Sequence, residues 1–226
     1  MLYLIATPIG HLKDITLRAL EILKSADFVA AEDTRHTGQL LKHYEIKTAL
    51  ISFHDHSGPG RLKEIITSLK EGKNVALVSD SGTPLISDPG FPLVREAVRE
   101  GIRVEAVPGP SAVITALAAG GLPTERLTFW GFLPHKPGPR KKELAEAALL
   151  EHTLVFFESP FRTAAVLKEM AEILGEREAV VGRELTKKLE EFVRGTLLEL
   201  AEKFGKGKIL GEIVILVAGK GRKKVF

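Results

Sequence analysis

Short apolar runs and longer amphipathic stretches alternate along the chain. In the first half, apolar runs of strand length lie at residues 2–6, 28–31, 49–52, 75–79 and 104–107. Stretches with helical spacing lie at residues 16–25, 37–44, 60–71, 92–100 and 111–119, with Thr16, Thr37 and Ser111 at the expected N-cap positions. Strands that are apolar throughout are buried on both faces, and helices between them make parallel crossovers. The first half therefore predicts a mostly parallel sheet covered by helices.

A Gly-Gly-Leu-Pro sequence at residues 120–123 interrupts this rhythm, and a second series of elements follows it. Predicted strands lie at residues 127–132, 153–157, 179–183, 191–195 and 212–218. Predicted helices lie at residues 141–150, 161–174 and 197–204. We therefore predict two α/β domains, residues 1–119 and 120–226. The segment from residue 190 onward also has room for antiparallel strand pairing.

Composition narrows the class of protein. The chain has 226 residues, 44% of them hydrophobic and 27% charged, which is ordinary for a soluble globular protein. It contains no cysteine, which excludes a disulfide framework, a thiolate metal site and a cysteine nucleophile. No apolar run is long enough to span a membrane, and the chain opens directly on a strand without a basic leader. These features favour a cytoplasmic protein.

Charge gives a weaker indication of the partner. The formal net charge is only +3, but basic residues cluster at 135–136, 140–142, 187–188 and 220–224. Such clusters occur on any solvated surface, and they also occur where a protein binds a polyanion such as nucleic acid. Charge alone leaves both interpretations open.

Polar loops follow each predicted strand of the first domain, at residues 7–14, 32–36, 54–56, 80–90 and 108–112. Open α/β sheets bind ligands at the carboxyl ends of their strands, so these loops mark a candidate site. The first loop is neither a GxGxxG fingerprint nor a Walker A loop. A His-x-His pair at 54–56 lacks further ligands, so we expect no metal. Taken singly, each loop is also explained by a stiff connection or an ion-pair cluster.

The loop at residues 78–90, VSDSGTPLISDPG, is the richest of these. Asp80 directly follows the strand, Gly82 permits close approach of a ligand to the backbone, and Pro84 stiffens the turn. In the second domain, charged residues follow two strands at 158–162 and 183–187, where surface salt bridges are the alternative explanation.

Several motifs together resemble the ribosomal RNA small subunit methyltransferase I family, within the tetrapyrrole methylase superfamily. The resemblance covers residues 2 to about 218. Its motifs lie at residues 6–10 (ATPIG), 14–20 (DITLRAL), 31–37 (AEDTRHT), 79–84 (SDSGTP), 86–90 (ISDPG), 108–117 (PGPSAVITAL), 131–134 (GFLP), 158–160 (ESP) and 183–187 (RELTK). Departures from the family pattern are His11, Ser81 and Phe161, and Phe161 argues against an acid/base role at its position.

The resemblance implies a class III methyltransferase with two α/β domains and a cofactor cleft between them. It implies S-adenosylmethionine as cofactor, 2′-O-methylation of a cytidine in the decoding region of small-subunit (16S) ribosomal RNA, and a homodimer. Asp80 matches the superfamily's cofactor aspartate, and Pro8 and the 111–112 segment match its cofactor loops. The predicted cofactor-binding residues are Pro8, Asp80, Gly82, Thr83, Ser111, Ala112 and Arg183.

Methyl transfer to a ribose hydroxyl would be helped by a general base, because that hydroxyl is a weak acid. Glu184, Glu158 and Lys187 are candidates by residue type, with Asp33 and His54 as further ones. The residues leave the choice open, including the possibility that no dedicated base exists. Predicted RNA contacts are Arg35, Arg140, Lys141 and Lys142, with Lys187 as a further cation.

Three other functions compete with this interpretation. A methylase of the same fold could act on a tetrapyrrole or on a protein, and a non-catalytic module could simply bind RNA. The basic clusters and the residue 32–36 block favour an RNA substrate. A nucleotide hydrolase is disfavoured by the missing Walker A loop.

Overall fold

A computed structural model describes residues 1–207 and 209–221 of the chain. The chain divides into two compact units, of which the first is Met1–Ser111 and the second begins at Ala112. The predicted boundary after residue 119 assigned the helix at Ala112–Gly120 to the first domain, whereas the structure assigns that helix to the second unit. The basic residues predicted at 222–224 lie outside the described residues.

The first unit is a five-stranded sheet with helices between its strands. Its strands are β1 Leu2–Ile5, β2 Phe28–Ala31, β3 Leu50–Ser52, β4 Val75–Val78 and β5 Val104–Val107. Its helices are α1 Leu17–Ser25, α2 Thr34–His43, α3 Pro59–Lys70 and α4 Phe91–Arg99. The strand order is β3-β2-β4-β1-β5, and all pairs are parallel. The predicted parallel α/β sheet is confirmed.

Burial explains why these short apolar runs form the sheet. All four residues of β4 are buried, because β4 lies between β2 and β1 and has helices on both faces. Ala76 and Val78 pack in the core beneath α1 and α2, while Val75 and Leu77 pack in a second core beneath α3 and α4. A side chain on either face of the central strand is therefore apolar, as the sequence pattern requires.

Helix caps follow the prediction at α1 but not at α2. The Thr16 hydroxyl accepts a hydrogen bond from the Ala19 amide at 3.1 Å, as predicted for an N-cap. The predicted cap at Thr37 is wrong, because α2 begins at Thr34 and Asp33 accepts the hydrogen bond from the Arg35 amide at 2.8 Å. Thr37 is instead buried within α2.

The second unit is a mixed sheet. Its strands are β6 Leu127–Phe132, β7 Thr153–Glu158, β8 Glu178–Arg183, β9 Glu191–Thr196 and β10 Ile213–Val217. Its helices are α5 Ala112–Gly120, α6 Pro137–Ala147, α7 Thr163–Leu174 and α8 Leu197–Gly205. The strand order is β6-β7-β10-β8-β9, with only β6 and β7 parallel. The predicted antiparallel pairing after residue 190 is confirmed.

The two faces of this second sheet differ in what covers them. One face carries Phe156 and Ile215, which pack with α6, α7 and α8 in the main core of the unit. The opposite face carries Leu216, and α5 packs closely against it, because a Cβ at Gly120 would overlap the Leu216 side chain. Within residues 1–207 and 209–221, no helix is long and apolar enough to cross a membrane.

Candidate active site

Three loops meet at the carboxyl edge of the first sheet. The Thr7 amide donates to the Gly82 carbonyl at 2.9 Å, and the Gly82 amide donates to the Thr7 carbonyl at 3.0 Å. The Thr83 hydroxyl donates to the Pro110 carbonyl at 3.4 Å. These bonds connect the loops after β1, β4 and β5, as expected for strand ends that share one edge of a parallel sheet. Gly82 has a φ of +77°, so a side chain there would be strained.

The predicted cofactor residues of the first unit lie on these loops. Pro8 is buried beside Thr7, and Ser111 is the last residue of the unit, directly before α5. Gly109 has no room for a side chain, because a Cβ there would lie 2.9 Å from the Ala6 Cβ. The loop backbones therefore approach each other closely. Ala112 and Arg183, which were predicted with this set, belong to the second unit.

The carboxylates of Glu32, Asp55, Asp80 and Asp88 interact at this edge. The Asp80 carboxylate accepts a hydrogen bond from the Asp33 amide at 3.1 Å, and the Asp80 amide donates to the Glu32 carboxylate at 3.4 Å. Burial and the neighbouring Asp80 raise the pKa of Glu32. Burial, together with the charges of Glu32, Asp80 and Asp55, raises the pKa of Asp88 to about 6, although a hydrogen bond from Ser79 opposes the shift. The edge is thus strongly electronegative.

This arrangement fits a cationic ligand such as S-adenosylmethionine. The cofactor carries a sulfonium and an ammonium group, and a positive charge among like-charged carboxylates lowers the free energy of their ionised forms. Glu32 and Asp88 were absent from the predicted cofactor set, although carboxylates at successive strand ends were the signal that could have identified them. Among the described residues, no group of three or more His, Asp or Glu side chains could hold a metal ion.

The raised pKa of Asp88 has a consequence for stability. A carboxyl whose pKa is higher in the folded than in the unfolded state favours folding below about pH 4, and this contribution is lost as the pH rises through about 6. We therefore expect Asp88→Asn to raise the free energy of unfolding at pH 7.5 by about 1–2 kcal/mol, after allowance for solvent screening. Urea unfolding of both proteins at pH 7.5 and pH 4 checks this. A difference that is the same at both pH values would contradict it.

Arg35 lies exposed beside this edge. Its guanidinium donates to both carboxylate oxygens of Asp33, at 3.1 Å and 2.7 Å, and 88% of its side chain is exposed. These hydrogen bonds hold the pKa of Asp33 well below its usual range, so Asp33 is a poor proton acceptor at neutral pH. Arg35 is oriented and accessible, as a phosphate-binding residue requires. His54 is half-buried, and its Nδ1 has no hydrogen-bond partner within the part of the chain that the structure describes.

In the second unit, the loop after β8 holds the Lys187 ammonium between two carboxylates. Its Nζ lies 2.9 Å from Glu184 Oε1 and 3.1 Å from Glu212 Oε2. The Glu212 amide also donates to Glu184 Oε1 at 3.0 Å. Glu184 and Thr186 have left-handed backbone conformations, with φ values of 50° and 62°. Strain of this kind persists where the surroundings hold a residue in place, and it is common at functional sites.

These contacts decide the protonation states of both residues. The hydrogen bond from Lys187 lowers the pKa of Glu184, despite partial burial. Burial lowers the pKa of Lys187, but the hydrogen bonds to Glu184 and Glu212 outweigh it and raise that pKa overall. At neutral pH the pair is an ammonium and a carboxylate. Gly211 was not among the predicted site residues, yet any Cβ there would overlap the Glu184 side chain.

Glu158, another predicted base, lies in a buried ion pair. Its carboxylate accepts hydrogen bonds from the Ser159 amide at 2.6 Å and from Arg162 Nη2 at 2.8 Å. The same Arg162 nitrogen donates to the Leu133 carbonyl at 3.0 Å. Only 1% of the Glu158 side chain is exposed. This pair joins the end of β7 to the end of β6 and has the character of a structural contact.

The predicted basic residues of the second unit fall into two groups. Arg183 pairs with Glu191 at 2.9 Å. Arg140 pairs with Glu169 and donates to the carbonyls of Pro134 and His135, and only 14% of its side chain is exposed. Arg140 therefore stabilises the start of α6. Lys141 and Lys142 are exposed on the same helix.

Comparison with known proteins agrees with this architecture. Residues 1–201 match the family model of the tetrapyrrole (corrin/porphyrin) methylases. The chain is 50% identical over 222 residues to the ribosomal RNA small subunit methyltransferase I of Halalkalibacterium halodurans. The aligned residues make up 98% of this chain and 77% of the relative. It is 48% identical over 220 residues to the protein of the same name from Thermotoga maritima. Here the aligned residues make up 97% of this chain and 98% of the relative.

A solved structure shares the fold. The uroporphyrin-III C-methyltransferase of Thermus thermophilus, in complex with S-adenosyl homocysteine, superposes with a TM-score of 0.66 at 22% identity, covering 96% of each chain. At this identity the likeness concerns the fold alone. The predicted fold class is confirmed. On the family model and the near full-length identity to its named members, the chain belongs to the ribosomal RNA small subunit methyltransferase I family of tetrapyrrole methylases.

Proposed function

We propose that this protein methylates the 2′-hydroxyl of a cytidine ribose in the decoding region of small-subunit ribosomal RNA. The observation that carries the proposal is the 50% identity, over 98% of the chain, to a protein named for methylation of that RNA. The RNA-binding side chains predicted from the sequence and found exposed, Arg35, Lys141 and Lys142, support a polyanionic substrate. A 2′-hydroxyl target requires RNA, because DNA lacks that group.

The methyl donor of the family, S-adenosylmethionine, supplies a methyl group activated on a sulfonium sulfur. In the first unit, Asp80 offers a carboxylate to a donor group of this cofactor, and its own hydrogen bond from the Asp33 amide fixes its orientation. Gly82, whose backbone has a φ of +77°, and Thr83 follow Asp80 in the same loop. Such positioning of reactants accounts for roughly 7–11 kcal/mol of the barrier in well-aligned reactions.

The contacts of the base candidates favour an electrostatic role for Lys187 over a proton-accepting role for any of them. An ammonium has three N–H donors. Two of them point to Glu184 and Glu212, which leaves one for a substrate oxygen. We infer that Lys187 stabilises the negative charge that develops on the ribose oxygen while the hydroxyl proton passes to solvent. Glu184 and Glu212 are then positioning residues for Lys187.

Lys141 and Lys142 are expected to bind RNA phosphates without affecting the cofactor. Reversing both charges, Lys141→Glu with Lys142→Glu, should weaken binding of small-subunit ribosomal RNA by about tenfold or more at low salt, because phosphate contacts dominate such affinities. Isothermal titration with RNA and with S-adenosylmethionine measures both effects. Lys168→Glu, on the exposed side of α7, is the matched control. Equal loss of affinity for both ligands would contradict a separate RNA surface.

The function itself is tested by nucleoside mass spectrometry. Small ribosomal subunits from a strain lacking the gene are incubated with the protein and S-adenosylmethionine, and their RNA is digested to nucleosides. We expect 2′-O-methylcytidine to appear only when both are present. Methyl transfer to a precorrin or a protein, with none to RNA, would support the competing methylase; RNA binding without any transfer would support a non-catalytic module.

The assembly and location follow as smaller proposals. We propose a homodimer in the cytoplasm, where its ribosomal substrate is assembled. Sedimentation equilibrium of the purified protein measures its oligomeric state, and fractionation of cells measures its location.

A further inference from the structure

A β-bulge in β6 changes which side chains share a face of the second sheet. Phe129 pairs with Val155, and Phe132 pairs with Phe157, but Gly131 pairs with Phe156, so Trp130 is an additional residue. In a regular strand, residues three apart lie on opposite faces. The bulge places Phe129 and Phe132 on the same face, because it inserts one residue between them.

The three side chains on that face form a cluster of rings, which we call the Phe face: Phe129, Phe132 and Phe157. The Phe129 and Phe157 rings lie edge to face with centroids 4.9 Å apart, and the Phe132 and Phe157 rings are 5.5 Å apart. Phe132 is 60% exposed, and the other two are half-buried. A cluster of large aromatic rings with this much exposure is unusual in a core and typical of a binding surface.

The Phe face lies away from the main core of its unit. Trp130 and Phe156 point to the opposite face, where Trp130 donates to Glu143 of α6 at 2.8 Å. Helix α5 packs against β10 and β8, while the Phe face is carried by β6 and β7, and β6 is the edge strand of the sheet. In the second unit the Phe face is therefore at the open side of the sheet.

Charge next to the Phe face favours a nucleic acid over a second copy of the chain. Residues 133–136 join β6 directly to α6, and this connection and the first turns of α6 carry Lys136, Lys141 and Lys142, all of them exposed. Two copies of one basic surface would repel each other. A polynucleotide offers both partners, since its bases have π faces for the rings and its phosphates have charges for the lysines.

We propose that the Phe face stacks on an unpaired base of the RNA substrate, with Phe132 as the main contact. The inference rests on the proposed function and adds the means by which the enzyme holds its target strand. Sequence-specific recognition of RNA favours unpaired nucleotides, whose bases leave the stack and stack on aromatic side chains instead.

The ring itself is tested by two substitutions at Phe132. Phe132→Leu keeps an apolar side chain but removes the π face, and we expect it to raise the Kd for a single-stranded oligoribonucleotide of the target sequence by roughly tenfold. Phe132→Trp restores a ring and is expected to bind as the wild type does. Phe91→Leu is the matched control, because Phe91 is a 62% exposed phenylalanine of the first unit. A Kd that Phe132→Leu leaves unchanged would overturn the proposal.

An oligonucleotide lacking one base separates stacking from loss of fold. Three oligonucleotides each carry one abasic residue, at the target cytidine or at one of its two neighbours. For one of the three, wild type and Phe132→Leu should have the same Kd, because the base on which the ring stacks is missing. A tenfold difference that persists at all three positions overturns the proposal. Conversion of a dimer to a monomer by Phe132→Leu, seen in sedimentation, would also overturn it and would assign the Phe face to contact between copies.

The same experiments distinguish this inference from the proposed function. If wild-type protein transfers no methyl group to small-subunit RNA, the proposed function fails whatever Phe132 does. If wild type methylates that RNA and Phe132→Leu does so with the same kcat/KM, only the stacking contact is rejected. We expect methylation by wild type, with kcat/KM lowered roughly tenfold in Phe132→Leu and restored in Phe132→Trp. The affinity for S-adenosylmethionine should be the same in all three proteins.

Discussion

Asp80→Ala is expected to raise the Kd for S-adenosylmethionine by about 100-fold or more, which is the effect of removing one member of a partly buried charged contact. Asp80 lies two residues after β4 and two residues before Gly82, and its carboxylate is oriented by the Asp33 amide at 3.1 Å. An alanine at this position supplies neither the charge nor the acceptor. Isothermal titration of wild type and variant with the cofactor measures the loss.

Two further variants separate the loss of charge from a change in the loop. Asp80→Asn keeps an oxygen that can accept from the Asp33 amide, so it should fold as wild type does and still bind the cofactor weakly. Asp27→Ala removes an exposed aspartate that accepts from the Asn74 amide at 2.7 Å, just before β2 at the opposite edge of the sheet. It should leave cofactor affinity intact. Wild-type affinity in Asp80→Ala would rule out this residue as a cofactor ligand.

The first sheet could be predicted from the sequence because its physical basis is local. The apolar runs at β1, β2 and β4 are buried on both faces, and each is followed by a polar loop and then a helix. Parallel strands bring those loops to one edge, so the meeting of Thr7, Gly82 and Pro110 follows from the pattern. The prediction of the α2 N-cap failed because Asp33 and Thr37 are both of a suitable residue type. Asp33 comes first at the strand end, and Thr37 is then absorbed into the helix.

The contacts of Lys187 could not be predicted, because they depend on strand order. β10 inserts between β7 and β8, and its antiparallel register pairs Ile213 with Arg183. This register brings the residue before Ile213, Glu212, next to the residue after Arg183, Glu184. Nothing local to the RELTK motif indicates that a second carboxylate arrives from a strand later in the sequence.

The basic run at residues 140–142 shows a different limit. Side chains four apart lie on one face of a helix, so Arg140 shares the inward face of α6 with the fully buried Leu144. This spacing was available in the sequence and separates Arg140 from its exposed neighbours Lys141 and Lys142. The carboxylate partner of Arg140, Glu169 on α7, could not be identified from the sequence, because the packing of α6 on α7 is a tertiary contact.

Lys187→Met is expected to lower kcat for RNA methylation by about 100-fold and to leave the Kd for S-adenosylmethionine unchanged, as loss of one donor to a developing negative charge does. The ammonium held by Glu184 at 2.9 Å and Glu212 at 3.1 Å has a raised pKa, so it is a cation throughout the neutral range. Single-turnover methyl transfer under saturating cofactor measures the chemical step.

Lys187→Arg decides between a cation and a base at this position. Arginine remains charged at any accessible pH, so it can stabilise a negative oxygen but cannot accept a proton. If Lys187 acts as a cation, kcat for RNA methylation should be much higher in Lys187→Arg than in Lys187→Met. If Lys187 is the base, both variants should be equally inactive. Glu184→Gln should cost less than Lys187→Met, and the double variant should be no slower than Lys187→Met alone, because Glu184 acts only through the lysine that it holds. Additive losses in the double variant would instead give Glu184 a contact of its own with the substrate.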